Sequence, residues 1–329
     1  MGVRQPHKLT LDPRYLAIGF LPLVVAMAGL DYLDEFGRTE GAFEMSLVLD
    51  SHLEAAGRVR MLATSLFATV VGLSALLYFA WTVRLFEPRS RWWAIGAYVA
   101  VAAVGLSLVW AERGGNSQKM MTRPVLCAPL VLVDTGNPGA RATLRVWPDG
   151  RPEGESDDGF ERRCAASATF GKFKRINDRH RFLLPLILPA VVLGAISCLG
   201  KRTGGREARG EAVERLKIWL YLTAAMFVAG LLLMSALLQW PAFAYQGAAK
   251  EAFRAHVSAY VLYLGVLYTL FIAAFYMPIY VRLAAAHRRS ARAEGSDAAE
   301  PINPLDLGKI MLGIFAPAIA GLLGDVLQF

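Results

Sequence analysis

Charge is what this chain keeps out of its apolar stretches. Only 19% of its 329 residues are Asp, Glu, Lys or Arg, and none lies in the interior of the six longest apolar runs. An ionisable side chain held within a bilayer is costly and marks a proton relay or an ion path. Its absence weighs against a proton-coupled transporter or a pump. Cysteine is sparse too, with three in the chain, and no C-x-x-C occurs. Neither does G-x-S-x-G or H-E-x-x-H, and Gly204-Gly205 lacks the Lys-Ser/Thr ending of a phosphate loop. Nothing therefore names a nucleophile beside its base, a metal site or a resident cofactor. No catalytic residue is assigned, and an enzyme is the less favoured class.

What the chain has is length of apolar sequence. Hydrophobic residues make up 55% of it, with a mean hydropathy of +0.39. A helix of ~20 apolar residues, rising ~1.5 Å each, crosses a ~30 Å hydrocarbon core. Six blocks meet that length: 15–33, 61–83, 92–110, 182–199, 218–238 and 257–281. The expected fold is an all-α integral membrane protein. It is a six-helix transmembrane bundle with a small β-rich extracytoplasmic insert between spans three and four, and a C-terminal apolar helix.

The first block admits a second reading as a signal peptide, with Ala26-Met27-Ala28 as its small-x-small site. A retained span is preferred because the run continues past that pair. Before span two, Phe43, Leu47, Val48 and Leu53 lie near helical spacing and predict an amphipathic helix. Trp92 and Trp110 stand about 27 Å apart along a helix, and Trp219 and Trp240 about 31 Å, as interfacial belts would require. Pro185 and Pro189 predict a distorted span four.

The insert, 111–181, is read as three strands. Residues 125–133 are β-prone, with Pro129 at an edge. Residues 134–139 are dense in turn formers, 140–147 alternate as a half-buried strand does, and 160–170 form a third strand holding Cys164.

The net charge of +8 follows the membrane ends. Arg4, Lys8 and Arg14, then Arg84, Arg89 and Arg91, six basic residues in 200–217, and Arg282, Arg288, Arg289, Arg292 and Lys309 share one side. The short opposite loops carry Arg38, Arg58, Arg60, Lys250 and Arg254. Positive charge stays inside, so both termini are expected in the cytoplasm; the basic insert is long enough to be exempt. An Ala-, Arg- and Gly-rich composition points to a bacterial inner membrane. The charge is thereby explained without nucleic acid, for which no aromatic-basic platform exists. The lipid bilayer is the expected partner.

Outside the cytosol, Cys127 and Cys164 are expected to form a disulfide that staples a lobe too small for a large core. Cys198, in span four, reads as a packing residue. His180 and His256 begin spans on the same side, either as a haem or metal pair or as ordinary interfacial side chains. Tyr268 sits mid-membrane and calls for a hydroxyl partner or a wet cavity. A linker at 282–304 leads to 305–329, an interfacial or docking helix with a bulky stripe and a small-residue face of Gly313, Ala316, Ala320, Gly321 and Gly324. That face could meet a protein partner, a second copy or its own bundle.

The first functional reading is a binding, sensing or assembly component acting through the insert. The alternatives are a channel or uncoupled transporter built from the bundle, and a membrane enzyme acting on lipid through His180, His256 or the acidic residues of 31–44.

Overall fold

The structure, a computed structural model, describes residues 43–111, 123–135, 141–146, 157–200, 205–293 and 304–326, with Tyr15, Ile18, Val24, Val25, Ala28 and Gly29. Most of the first apolar run, the turn at 136–140, the polar loop at 147–156 and the linker at 294–303 lie outside the described residues.

The described chain is almost entirely helical. In order it forms β1 (Phe43–Val48), α1 (Ser51–Arg84), α2 (Pro88–Ala111), α3 (Arg123–Asp134), β2 (Arg141–Val146), α4 (Asp157–Ala166), α5 (Ala168–Ile196), α6 (Gly205–Gln239), α7 (Gly247–Ala293) and α8 (Pro304–Val326). Short 3-10 turns follow α5 and α6 at Ser197–Leu199 and Trp240–Phe243. Among the described residues, four helices are long and apolar enough to cross a membrane: Ser51–Arg84, Ala168–Leu199, Gly210–Phe243 and Gly247–Ala286.

The long helices start and stop where local chemistry allows. Asp50 caps α1, its carboxylate accepting from the N–H groups of His52 and Leu53 at 3.0 Å each, which satisfies two of the donors a helix start leaves unpaired. At the other end Arg91 reaches back from α2 and donates to the carbonyls of Arg84 at 2.9 Å and Phe86 at 3.3 Å. Pro88 opens α2, where its fixed φ suits a first turn.

Helices α1 and α5 run parallel. Ser65 meets His180 and Gly72 meets Ile187, the same 115-residue offset at both depths. Gly105 of α2 packs on Pro185 of α5. Lipid removes the hydrophobic drive between apolar helices, so such close small-residue contacts hold the bundle together.

Two apolar clusters stack along the bundle. One joins Phe79, Val83, Ile187, Ile196, Trp219, Phe227, Phe275 and Ile279, with Ile310 and Ile314 of α8. The other joins Leu47, Met61, Leu130, Phe173, Leu237, Trp240, Tyr245, Val257 and Leu264. Outward, Leu62, Leu66, Val70, Leu73 and Leu77 make an exposed apolar stripe on α1, and Leu312, Phe315, Ile319 and Leu323 another on α8. Such surfaces are rare in water-soluble monomers and suit hydrocarbon.

The structure corrects four expectations. Residues 125–133, read as a strand, lie in α3: Cys127, Leu130 and Asp134 fall three to four apart, and the first two are fully buried. A short apolar run cannot choose between helix and strand by itself. The third strand at 160–170 is helical, divided between α4 and the start of α5 by Ser167, whose hydroxyl accepts from Phe170 N–H as the cap of α5. The strand at 141–146 forms, but antiparallel to β1, from Phe43↔Val146 to Val48↔Arg141, so 43–48 is a strand rather than an amphipathic helix. Finally, Trp219 and Trp240 are buried, at 0% and 3% exposure, while Trp92 and Trp110 are exposed. Only the latter pair behaves as a belt.

Helix α8 lies along α6 and α7. Gly313 faces Leu220 and Tyr221. Ala318 N–H donates to Thr269 Oγ1 at 3.1 Å, and Gly321 lies against Val261 and Leu262. Its order is therefore antiparallel to α7, and its small-residue face is filled by its own chain. The described positions of the first run also follow α7 in reverse. Tyr15 lies under the Arg282 guanidinium, 5.3 Å from ring centroid to Cζ, and the Gly29 carbonyl accepts from Tyr263 Oη at 2.6 Å.

Candidate functional site

The end of the bundle where α5 and α7 begin carries a cap, and three sets of bonds fix it there. The first is covalent: Cys127 of α3 and Cys164 of α4 form a disulfide with Cα atoms 5.9 Å apart, and both are buried.

The second is electrostatic. Asp134, the last residue of α3, accepts from the Ser167 and Thr169 hydroxyls at 2.5 and 2.6 Å. It also sits at the N-terminus of α5, where a carboxylate is favoured by the free N–H groups and the helix dipole. Burial pushes the Asp134 carboxyl up. The two hydroxyls and the Thr169 and Ala168 N–H groups outweigh this and hold it below the usual carboxylate range. A carboxyl lowered on folding stabilises the fold above its unfolded value of about 3.9, and that stability is lost as pH falls through the lower folded value. The protection of the amides in the first turn of α5, relative to their intrinsic exchange at each pH, is therefore expected to stay flat from neutral pH to about 4 and to fall below it. In Asp134→Asn the pH step should vanish; an unchanged step would show that another group drives it.

The third is backbone pairing. Val48 N–H donates to Ala244 O at 2.8 Å, and Leu47 bridges Tyr245. Strand β1 is thus laced to β2 on one side and to the α6–α7 connection on the other. Leu47 is 1% exposed and anchors the ladder in the core beneath.

Under the cap lies an acid that sequence reading passed over. Glu54, in the first turn of α1, is 5% exposed, and its Oε1 has no hydrogen-bond partner among the described residues. Its other oxygen is 3.6 Å from Arg58 Nη2. One turn further, a side chain at Gly57 would stand 2.9 Å from Trp240 Cδ1, so the indole edge carrying Nε1 faces this part of α1. Trp240 Nε1 and Gln239 Nε2 are buried and also unpartnered. Near this stretch of α1, with Phe173 6.0 Å from the Trp240 ring, the buried carboxylate oxygen can only accept and the buried indole N–H can only donate, and both lack a partner among the described residues. The signal in sequence was Asp50 as a helix cap, which places Glu54 on the inward turn.

The residues singled out beforehand are distributed otherwise. His180 is engaged on both nitrogens: Nδ1 lies 2.9 Å from the Ile176 carbonyl, and Nε2 lies 3.2 Å from the Ser65 carbonyl and 3.4 Å from its hydroxyl. It ties α5 to α1. His256 is half-buried on α7, and among the described residues no contact joins the two. No group of three His, Cys, Asp or Glu side chains that could hold a metal occurs among the described residues. Tyr268 stacks on Phe227 at 4.5 Å and packs against both apolar clusters.

No protein-family model matches the chain, and no curated protein or solved structure does so either.

Proposed function

We propose that this is a polytopic protein of a bacterial inner membrane that acts by binding, through a rigid extracytoplasmic cap over Glu54 and Trp240. The observation that carries this reading is the clamping of the cap. The disulfide, Asp134 and the β ladder hold one small lobe at three points over unpartnered polar atoms. A disulfide persists on the oxidising side of the membrane, which agrees with the distribution of basic residues. Six apolar runs cross the bilayer with the N-terminus in the cytoplasm. The run of α8 beside α7, from Ile310 at the basic end to Gly321 beside Leu262, supports a seventh crossing in place of the interfacial helix expected from sequence, with the C-terminus then outside rather than in the cytoplasm.

The packing of Tyr268 against both apolar clusters favours binding over conduction. Two measurements test the proposal. A cysteine placed at Asp149 should react with an impermeant maleimide in intact cells; labelling only after lysis would reverse the sidedness. Ligand retained by the purified chain should be lost in Glu54→Gln and kept in Tyr268→Phe. Passage of a solute through reconstituted protein, blocked by Tyr268→Phe, would favour the channel reading.

A further inference from the structure

A second set of unpartnered polar atoms lies at the opposite end of the bundle, where α1 and α5 stop and α6 begins. Arg215, Trp219 and Thr223 stand four apart on α6 and so share a face. The Trp219 ring is fully buried, 4.8 Å from the Tyr78 ring of α1, and it fills the space left by Gly194 on α5. Deeper still, Thr223 Oγ1 donates to the Trp219 carbonyl at 2.7 Å and pairs with Tyr276 Oη at 2.6 Å. That pair closes the floor and is satisfied.

Above the floor the balance fails. Trp219 Nε1, Tyr78 Oη and Arg215 Nη1 are buried, and none has a partner among the described residues. Indole and guanidinium nitrogens only donate, and a phenol donates readily. An unpaired buried donor is costly, and more so when charged. Arg215 turns its other terminal nitrogen to Glu211, at 3.1 Å.

We propose that Arg215, Tyr78 and Trp219 form a binding site for a phosphate-type oxyanion. Three donors from two helices suit a group with several acceptor oxygens on one centre, and guanidinium is the side chain best matched to it. The described surroundings supply attraction: Arg84, Arg89, Arg91 and Lys217 lie at this end, and Glu211 is the acid facing Arg215. The phosphate belongs either to a lipid headgroup of this leaflet or to a free anion.

The test uses the full chain in uncharged detergent, titrated with inorganic phosphate, dioctanoyl phosphatidic acid and dioctanoyl phosphatidylcholine, with tryptophan fluorescence and the thermal midpoint as readouts. Phosphatidic acid should bind saturably. Arg215→Gln should weaken it at least about tenfold and Tyr78→Phe several-fold, the price of one donor each. Binding of phosphatidic acid alone assigns the site to a headgroup; binding of inorganic phosphate as well assigns it to the anion. Tyr78→Phe keeps the ring and decides the matter should Arg215→Gln fail to fold. Equal binding of phosphatidylcholine, no binding of either anion, or wild-type affinity in Tyr78→Phe would overturn the proposal.

Discussion

Serine at Cys127 and Cys164 is expected to cost the cap up to about 4 kcal/mol, the value the loop-entropy relation gives for a loop of this size. The bond closes a separation of 37 residues. The figure is a ceiling. Asp134 already fastens the end of α3 to the start of α5 through Ser167 and Thr169, so part of the loop entropy is lost without the disulfide. The cap should therefore loosen before the bundle does. Limited proteolysis of the purified double variant, or of the wild type under reductant, should cleave the insert early and spare α6 and α7. Equal protease resistance with and without reductant would mean that the ladder and Asp134 suffice, and the disulfide would be structurally redundant.

The long helices were legible because length and hydropathy alone select them. The positions 61–83, 182–199, 218–238 and 257–281 all lie within helices of the structure, and no partner was needed to place them. The cap was not legible for the converse reason. Its elements are short, and short apolar segments take their conformation from what they pack on. Residues 125–133 are rich in valine and leucine, yet they coil so that Cys127 and Leu130 turn inward together. Residues 43–48 did carry a signal that helical spacing obscured: Phe43, Met45 and Leu47 alternate with Glu44 and Ser46, which is the period of a strand. Their partner lies almost a hundred positions away, at 141–146, and no local pattern names a partner at that distance.

The candidate sites were legible only in part. A count of charges in the spans singles out no residue, because the six apolar runs hold none in their interiors. The informative groups are neutral donors, Trp219 and Tyr78, and two ionisable residues at helix ends, Glu54 and Arg215. Tryptophan near a span end reads as an interfacial belt from sequence. Trp92 and Trp219 look alike until Gly194 and Tyr78 are seen to enclose one of them. His180 drew notice as a ligand candidate, but Nδ1 lies against the Ile176 carbonyl and Nε2 against the hydroxyl and carbonyl of Ser65. Such commitments are set by neighbouring helices and leave no trace in spacing.

Glycine to alanine should give opposite signs at two positions of this bundle, and the difference measures how tightly α8 is seated. At Gly265 of α7 a Cβ would stand 2.7 Å from the Pro317 carbonyl and 3.4 Å from Ala318 Cα. Both are backbone atoms of α8 and cannot swing aside as a side-chain tip would. Gly265→Ala should therefore push α8 off α7, strain the bond from Ala318 N–H to Thr269, and cost about 1–3 kcal/mol, the usual range for overpacking. At Gly96 of α2 a Cβ would meet nothing within 4 Å. There alanine only narrows the unfolded chain and improves helix propensity, a gain of up to about 1 kcal/mol. Thermal midpoints of the two variants in the same detergent should thus fall on either side of the wild type. A helix α8 resting loosely on the surface would let Gly265→Ala follow Gly96→Ala upward, and its reading as an inserted crossing would fail with that result.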